Sequence, residues 1–328
     1  MTILTRITRT TAAAALAFGF ASGASALELR GWNIHVEDYP VSIAMESFLA
    51  EVAEKTGGEI TGKVYHNGVL GSQPDAIEQM RLGVMDFGEF SLGPMGQAVP
   101  ETNVVSLPFI FSSIPDMYRL MDGEVGDAIG EGMIDKGIMP LAWYAAGARS
   151  FYNSVRPINT PADVEGLKVR VMSNDLFVKM IESMDGNATP MAFAEVYQSL
   201  KTGVVDGAEN NPPSYESTSH FEVAKYYSLT EHLIIPECLC MSLKTWEKMT
   251  PEQQEIVKAA GRASAEYQRE LWADREAASM EIVQAGGTVV NSIADKAPFQ
   301  AAMTPVYDKF LADNPALTDL VNLIRNAE

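Results

Sequence analysis

Two arginines stand where arginine is costly. Arg149 follows the run Trp143-Tyr144-Ala145-Ala146-Gly147-Ala148, and Arg170 interrupts Leu167-Lys168-Val169-Arg170-Val171, which reads as a strand. A guanidinium stays charged and carries five donors, so an apolar setting demands acceptors for it. A ligand carboxylate would supply them, gripped by the two-pronged fork of Arg170 with Arg149 alongside. A structural ion pair or an edge-strand arginine in solvent would do so too, and composition alone favours this bland arrangement.

Other chemistry is poorly represented. Around Ser91 the run Glu89-Phe90-Ser91-Leu92-Gly93 misses a nucleophile elbow, because Gly88 sits one place too early. Gly130-Glu131-Gly132 lacks the third glycine of a dinucleotide loop, and no phosphate-cradling G-x-x-x-x-G-K-[ST] occurs. With 43 acidic residues, any carboxylate pair proposed as a glycosidase dyad would be picked from noise. The histidines at 35, 66, 220 and 232 show no zinc spacing, so neither metal nor cofactor is expected, and His220 and His232 read as structural or surface residues. Cys238 and Cys240 read as two buried thiols, since in an extended strand their Cα atoms lie near the upper limit for a bridge. Trp32, Tyr39, Tyr65 and Trp143 could flank a ring but read as core.

Composition narrows the partners. The 328 residues carry 24 basic and 43 acidic side chains, a net charge of −19, which argues against nucleic acid or an anionic membrane surface. Small anions are not excluded. Apolar residues make up 47%, so disorder is unexpected, and the length implies two domains.

The start of the chain gives its destination. Arg6 and Arg9, an apolar run from Ala12 to Ala21 and the small-residue site Ala24-Ser25-Ala26 read as a signal peptide over residues 1–26. The apolar run is too short to span a bilayer, which takes ~20 residues. A protein exported to the periplasm without membrane insertion is expected.

The arginines need a scaffold, and the sequence supplies α/β signals. Leu27-Glu28-Leu29-Arg30 alternates as a strand, apolar residues from Pro40 to Thr56 recur at helical spacing until Gly57-Gly58, and Ile60, Gly62 and Val64 alternate again. An internal echo follows. Gln79-Met80-Arg81-Leu82 leads into Gly83-Val84-Met85-Asp86, and 120 positions later Ser199-Leu200-Lys201-Thr202 leads into Gly203-Val204-Val205-Asp206. In each copy a glycine can end the helix, a short apolar strand is expected next, and Glu89 or Glu209 lies three residues after the Asp. Two lobes of like construction are one reading; chance repetition of a common junction is the other. From Thr250 to Ala285 an N-cap, Pro251 at the first helical position and Gln253 as capping-box partner open a helix about 52 Å long, stopped by Gly286-Gly287. Ile256, Ala260, Ala263, Tyr267 and Leu271 are its expected apolar face.

Four motifs in order carry a resemblance. Arg149-Ser150-Phe151-Tyr152-Asn153, Gly166-Leu167-Lys168-Val169-Arg170-Val171, Met191-Ala192-Phe193-Ala194-Glu195-Val196-Tyr197 and Gly203-Val204-Val205-Asp206-Gly207-Ala208-Glu209-Asn210 resemble the substrate-binding proteins of TRAP transporters, the tripartite ATP-independent periplasmic systems for organic acids. The resemblance extends over essentially the whole chain after the leader. It implies an α/β, two-lobed periplasmic binding protein of type II-like architecture, with crossover strands, a long helix spanning both lobes and a hinge that closes on the ligand. Residues 27–146 plus 236–275 would form one lobe, and 147–235 plus 276–328 the other.

The resemblance also implies roles. Arg170 would clamp the ligand carboxylate, Arg149 and Asn210 would supplement it, and Phe193 would pack on the ligand, while His35, Gln73, Glu89 and Ser91 would supply contacts from the first lobe. The stretch Asp206-Gly207-Ala208-Glu209-Asn210-Asn211-Pro212-Pro213-Ser214-Tyr215 is similar to members that bind uronates such as glucuronate and galacturonate. A monomer that hands a sugar acid to membrane permease subunits, with no covalent chemistry, is the expected function. Another organic acid (a C4-dicarboxylate, 2-oxo acid or aromatic acid) and an exported enzyme acting on acidic sugars are the alternatives.

Overall fold

The computed structural model describes residues 26–327, so the signal-peptide reading falls outside the described residues except at Ala26. The strands are β1 (Leu27–Trp32), β2 (Ile60–Tyr65), β3 (Phe87–Ser91), β4 (Ile138–Ala145), β5 (Arg149–Asn153), β6 (Lys168–Val171), β7 (Asn187–Pro190), β8 (Gly207–Asn210), β9 (Tyr226–Leu233), β10 (Pro236–Ser242) and β11 (Val289–Ser292). They form two mixed sheets, in the orders β2-β1-β3-β10-β4 and β11-β9-β5-β8-β6-β7. The chain passes between sheets three times, from β4 to β5, from β9 to β10 and from β10 to β11. The first two crossings leave β5 and β10 as antiparallel insertions beside parallel neighbours. This is the two-lobed α/β architecture with crossover strands.

The echo is structural, and it performs the same task in each sheet. Gly83 and Gly203 end their helices in the left-handed conformation, at φ of 75° and 73°. Asp86 Oδ2 then accepts from the Arg30 backbone amide of β1, as Asp206 Oδ2 accepts from the Lys168 amide of β6. The expected apolar strands at Val84-Met85 and Val204-Val205 do not form. Val84 and Val204 are exposed, and each strand starts after its Asp, at Phe87 and Gly207. The carboxylate grips the neighbouring strand, and each strand begins three residues later than the apolar pair suggests, at Phe87 instead of Val84 and at Gly207 instead of Val204. The consequence is that Glu89 and Glu209 occupy matching positions on β3 and β8.

The long helix runs from Pro251 to Ala285, with Thr250 and Gln253 completing the capping box. Its buried face is not the expected one. Of the five apolar residues assigned to it only Ala260 is buried, and Tyr267 is exposed. The buried stripe is Val257, Ala260, Gly261, Ser264, Ala265, Gln268, Trp272, Ser279 and Val283. Small and polar residues serve because the helix lies close against β4. A Cβ at Gly261 would sit 3.1 Å from that of Leu141. Gln268 accepts from the Ala145 amide and donates to its carbonyl, holding the first crossing point, and Tyr144 bonds Ser264. Two residues on, Gly147 at φ 62° passes so near Trp272 that a Cβ would meet its Nε1 at 2.8 Å.

Cys238 and Cys240 correct a second expectation, for they form a disulfide. Two extended residues span about 6.8 Å. Opposite Leu239–Cys240, however, β4 carries one extra residue in the pairing, and β10 contracts there to a Cα separation of 5.5 Å. So small a loop restrains the unfolded chain little, and the chain-entropy relation gives about 1.6 kcal/mol. The Cys238→Ser, Cys240→Ser double variant is therefore expected to lose no more than a few degrees in a thermal melt; a collapse of the transition would show that the bridge organises β10 itself.

Candidate functional site

A cavity lies between the sheets. Its walls are the C-terminal ends of β3 and β8, where open α/β sheets place ligands, together with β5, β6 and β10. All eight residues singled out from the sequence line it: His35, Gln73, Glu89, Ser91, Arg149, Arg170, Phe193 and Asn210.

The two arginines are differently occupied. Arg149, 5% exposed, holds Glu209 with two prongs, Nε to Oε2 at 2.5 Å and Nη2 to Oε1 at 2.8 Å. Nη2 also donates to the Glu209 carbonyl and Nη1 to Asn210 Oδ1. Its charge is neutralised inside the protein, so for Arg149 the structural ion pair holds, although the side chain still borders the cavity. Arg170, 4% exposed, has only the Met191 carbonyl as partner among the described residues, through Nε and Nη2 at 3.1 and 2.8 Å. Among the described residues no carboxylate lies within ion-pair distance of it. Burial lowers its guanidinium to about 10, only partly countered by Glu209, and at neutral pH the group stays charged. An anion entering the cavity meets Arg170 as an uncompensated cation.

Polar groups of known direction line the remaining walls. Asn210 Oδ1 is taken by Arg149 and the Asn211 amide, which leaves Nδ2 to donate. Gln73, at the first position of its helix, donates Nε2 to the Ser91 carbonyl and keeps Oε1 as an acceptor. His35 stacks on Tyr39 at 3.9 Å; burial, then Arg149, lowers its pKa to about 3, so the imidazole is neutral and can both donate and accept. Phe193 stands with its ring near His35 and His220, at 6.0 and 6.1 Å, and gives the cavity an apolar plate. His220 is buried, bonded to the Tyr152 hydroxyl, and is neutral because burial and Arg170 lower it to about 3. His232 is likewise buried, stacked on Phe151 and 3.8 Å from Glu209. Both histidines are structural, and neither is at the surface.

Several lining residues escaped the sequence reading. Glu237 on β10 faces the cavity, 5% exposed, near Glu89. Its signal was available: a carboxylate inside Pro236–Ser242, a strand buried throughout, is as anomalous as an arginine in one. Asn211 and Ser214 also line the cavity, and the Tyr39 hydroxyl bonds both, at 3.3 and 2.9 Å, bridging from the helix that follows β1 to the one that follows β8. Asn174 makes a second bridge, donating to the Gly93 carbonyl and Asn103 Oδ1 at 2.7 Å each. Of the four candidate aromatics none lines the cavity; Trp32 and Tyr39 are fully buried core. Among the described residues no group of three or more His, Cys, Asp or Glu could hold a metal, and no helix is long and apolar enough to cross a membrane.

Comparison with known proteins meets this geometry. A "solute-binding protein" of Chromohalobacter salexigens is 54% identical over 313 residues, covering 95% of this chain and 93% of that one. The crystal structure of a TRAP periplasmic solute-binding protein from Sulfitobacter sp. NAS-14.1, with bound β-D-galacturonate, superposes with a TM-score of 0.91 at 75% identity, covering 92% of this chain and 100% of that one. One from Roseobacter denitrificans, with bound β-D-glucuronate, gives 0.91 at 61% identity with the same coverage. The family model for bacterial extracellular solute-binding proteins, family 7, matches residues 33–314. With that match spanning most of its length, the chain belongs to the DctP family of bacterial extracellular solute-binding proteins.

Proposed function

We propose that this protein captures a uronate, galacturonate or glucuronate, and delivers it to the membrane permease of a TRAP transporter. The observation that carries the reading is Arg170, a buried cation lacking a counter-carboxylate at a cavity that also presents hydroxyl-reading groups and an apolar plate. The uronates bound by the Sulfitobacter and Roseobacter proteins support it. Arg170 holds the ligand carboxylate, Asn210 Nδ2 and the remaining Arg149 donor assist, Phe193 packs on a ring face, and His35, Gln73, Glu89 and Ser91 read hydroxyls. The lobes that close are residues 27–146 plus 236–275 and 147–235 plus 276–328, bridged by Tyr39 and Asn174. The protein works as a monomer in the periplasm after removal of residues 1–26, and it leaves its ligand chemically unchanged.

A ligand screen by thermal shift tests this. Binding that saturates the site at 100 times Kd stabilises the native state by about 2.7 kcal/mol. D-galacturonate or D-glucuronate is expected to raise the melting temperature, and aldonates, C4-dicarboxylates, 2-oxo acids and aromatic acids to do so less. A response confined to dicarboxylates or aromatic acids would reject the uronate assignment, and release of a modified sugar by purified protein would make it an enzyme.

A further inference from the structure

Glu89 and Glu237 have no role in holding a carboxylate, yet they face the same cavity as Arg170. They lie diagonally across the β3–β10 ladder, where Glu89 pairs with Leu239 and Ser91 with Glu237. At 1% and 5% exposure they are within hydrogen-bonding reach of each other. Oε1 of Glu89 and Oε2 of Glu237 are enclosed and find no donor among the described residues. Two enclosed carboxyl oxygens without a donor satisfy each other only by sharing a proton.

We propose that Glu89 and Glu237 form a carboxyl pair that takes up one proton as the lobes close on a sugar acid, and that its cavity-facing oxygens read the ligand hydroxyls. This rests on the uronate reading. Glu89, Glu237, Arg149 and Arg170 are each 5% exposed or less, and opening of the lobes wets both carboxyls. Closing removes that water. Burial raises both groups in the closed form, Glu237 to about 7 and Glu89 well above the ordinary carboxylate range, with the other carboxyl of the pair adding to the rise at Glu89. The proton comes from solvent. A closed form that binds the extra proton is favoured at low pH, so affinity falls as pH rises between the open-form and closed-form values, by up to tenfold per unit for one proton.

The groups around the pair do not imitate this. Arg149 on β5 stays charged, and Glu209 on β8 is held in its ion pair. Tyr39 before its helix, Tyr144 on β4 and Tyr118 are all raised by burial and remain neutral. His35 is neutral in the closed form and, with an ordinary value near 6.5, in the open form above pH 8 as well. The shared proton also leads to an expected selectivity: a sugar diacid would set its second carboxylate against the pair.

Calorimetry of D-galacturonate binding at pH 8, in buffers of different ionisation enthalpy, reads the proton directly. Wild-type protein is expected to take up close to one proton per ligand and the Glu89→Gln, Glu237→Gln double variant to take up none, since either single variant keeps one buried carboxyl. If the double variant binds too weakly for calorimetry, the ligand-induced melting shift at pH 8 and pH 9, above the range of His35, serves: it shrinks with pH in the wild type and stays level in the double variant. Binding without buffer dependence in the wild type overturns the inference alone, as does uptake that persists in the double variant. Absence of any uronate binding removes the uronate reading and the inference with it.

Discussion

Arg170→Ala should abolish useful affinity while leaving the ligand-free protein at least as stable as before. Truncating one partner of a buried, hydrogen-bonded charge pair costs roughly 2–5 kcal/mol, or about 30- to several thousand-fold in Kd. The opposite sign for the ligand-free fold follows from the geometry. Arg170 is buried with a single carbonyl as partner, so the fold bears the desolvation of its charge without the attraction that would offset it. A residue kept for structure would show the reverse. Arg170→Lys separates charge from shape: Lys keeps the cation but cannot both hold the Met191 carbonyl and present a planar fork, so a loss of tenfold or more is expected. Calorimetry with a uronate and melting curves without it decide the matter. Affinity within threefold of wild type in either variant, or a large drop in ligand-free melting temperature, would take the clamp away from Arg170.

What the sequence disclosed followed from how local each signal was. The long helix was legible at both ends because caps and glycine stops act within four residues. Its buried face was not, since close approach to β4 selects Gly261, Ser264 and Gln268 over larger apolar side chains, and that approach is a property of the packed pair. The cavity residues came from motifs, and the structure gathers all eight around one space. The division of labour between the arginines could not be read that way. It depends on Glu209 reaching across from β8 to β5, a pairing of strands 60 residues apart. Glu237 shows a different limit. Its strand belongs to the first sheet only because the chain crosses back after β9, so its place beside Glu89 is a fact of topology.

The Arg149–Glu209 pair supplies the largest expected effect on stability. Glu209 is fully buried, accepts both prongs of Arg149 and lies 3.8 Å from His232, which is neutral and cannot replace it as an ion partner. In Glu209→Ala two buried guanidiniums, Arg149 and Arg170, would lie near each other with no fixed negative partner on β8. Removing one member of such a pair costs about 3–5 kcal/mol, which for a chain of this size lowers the melting temperature by several degrees. Replacing both members tests the cause. Arg149→Met with Glu209→Leu leaves neither charge stranded and should recover most of the stability lost by Glu209→Ala. Recovery of ligand affinity is not expected, since Asn210 loses the Arg149 contact that orients its amide toward the cavity. A Glu209→Ala protein melting within a degree of wild type would mean the cavity admits water or an anion to Arg149, and a double variant no better than the single would assign the cost to packing instead of charge.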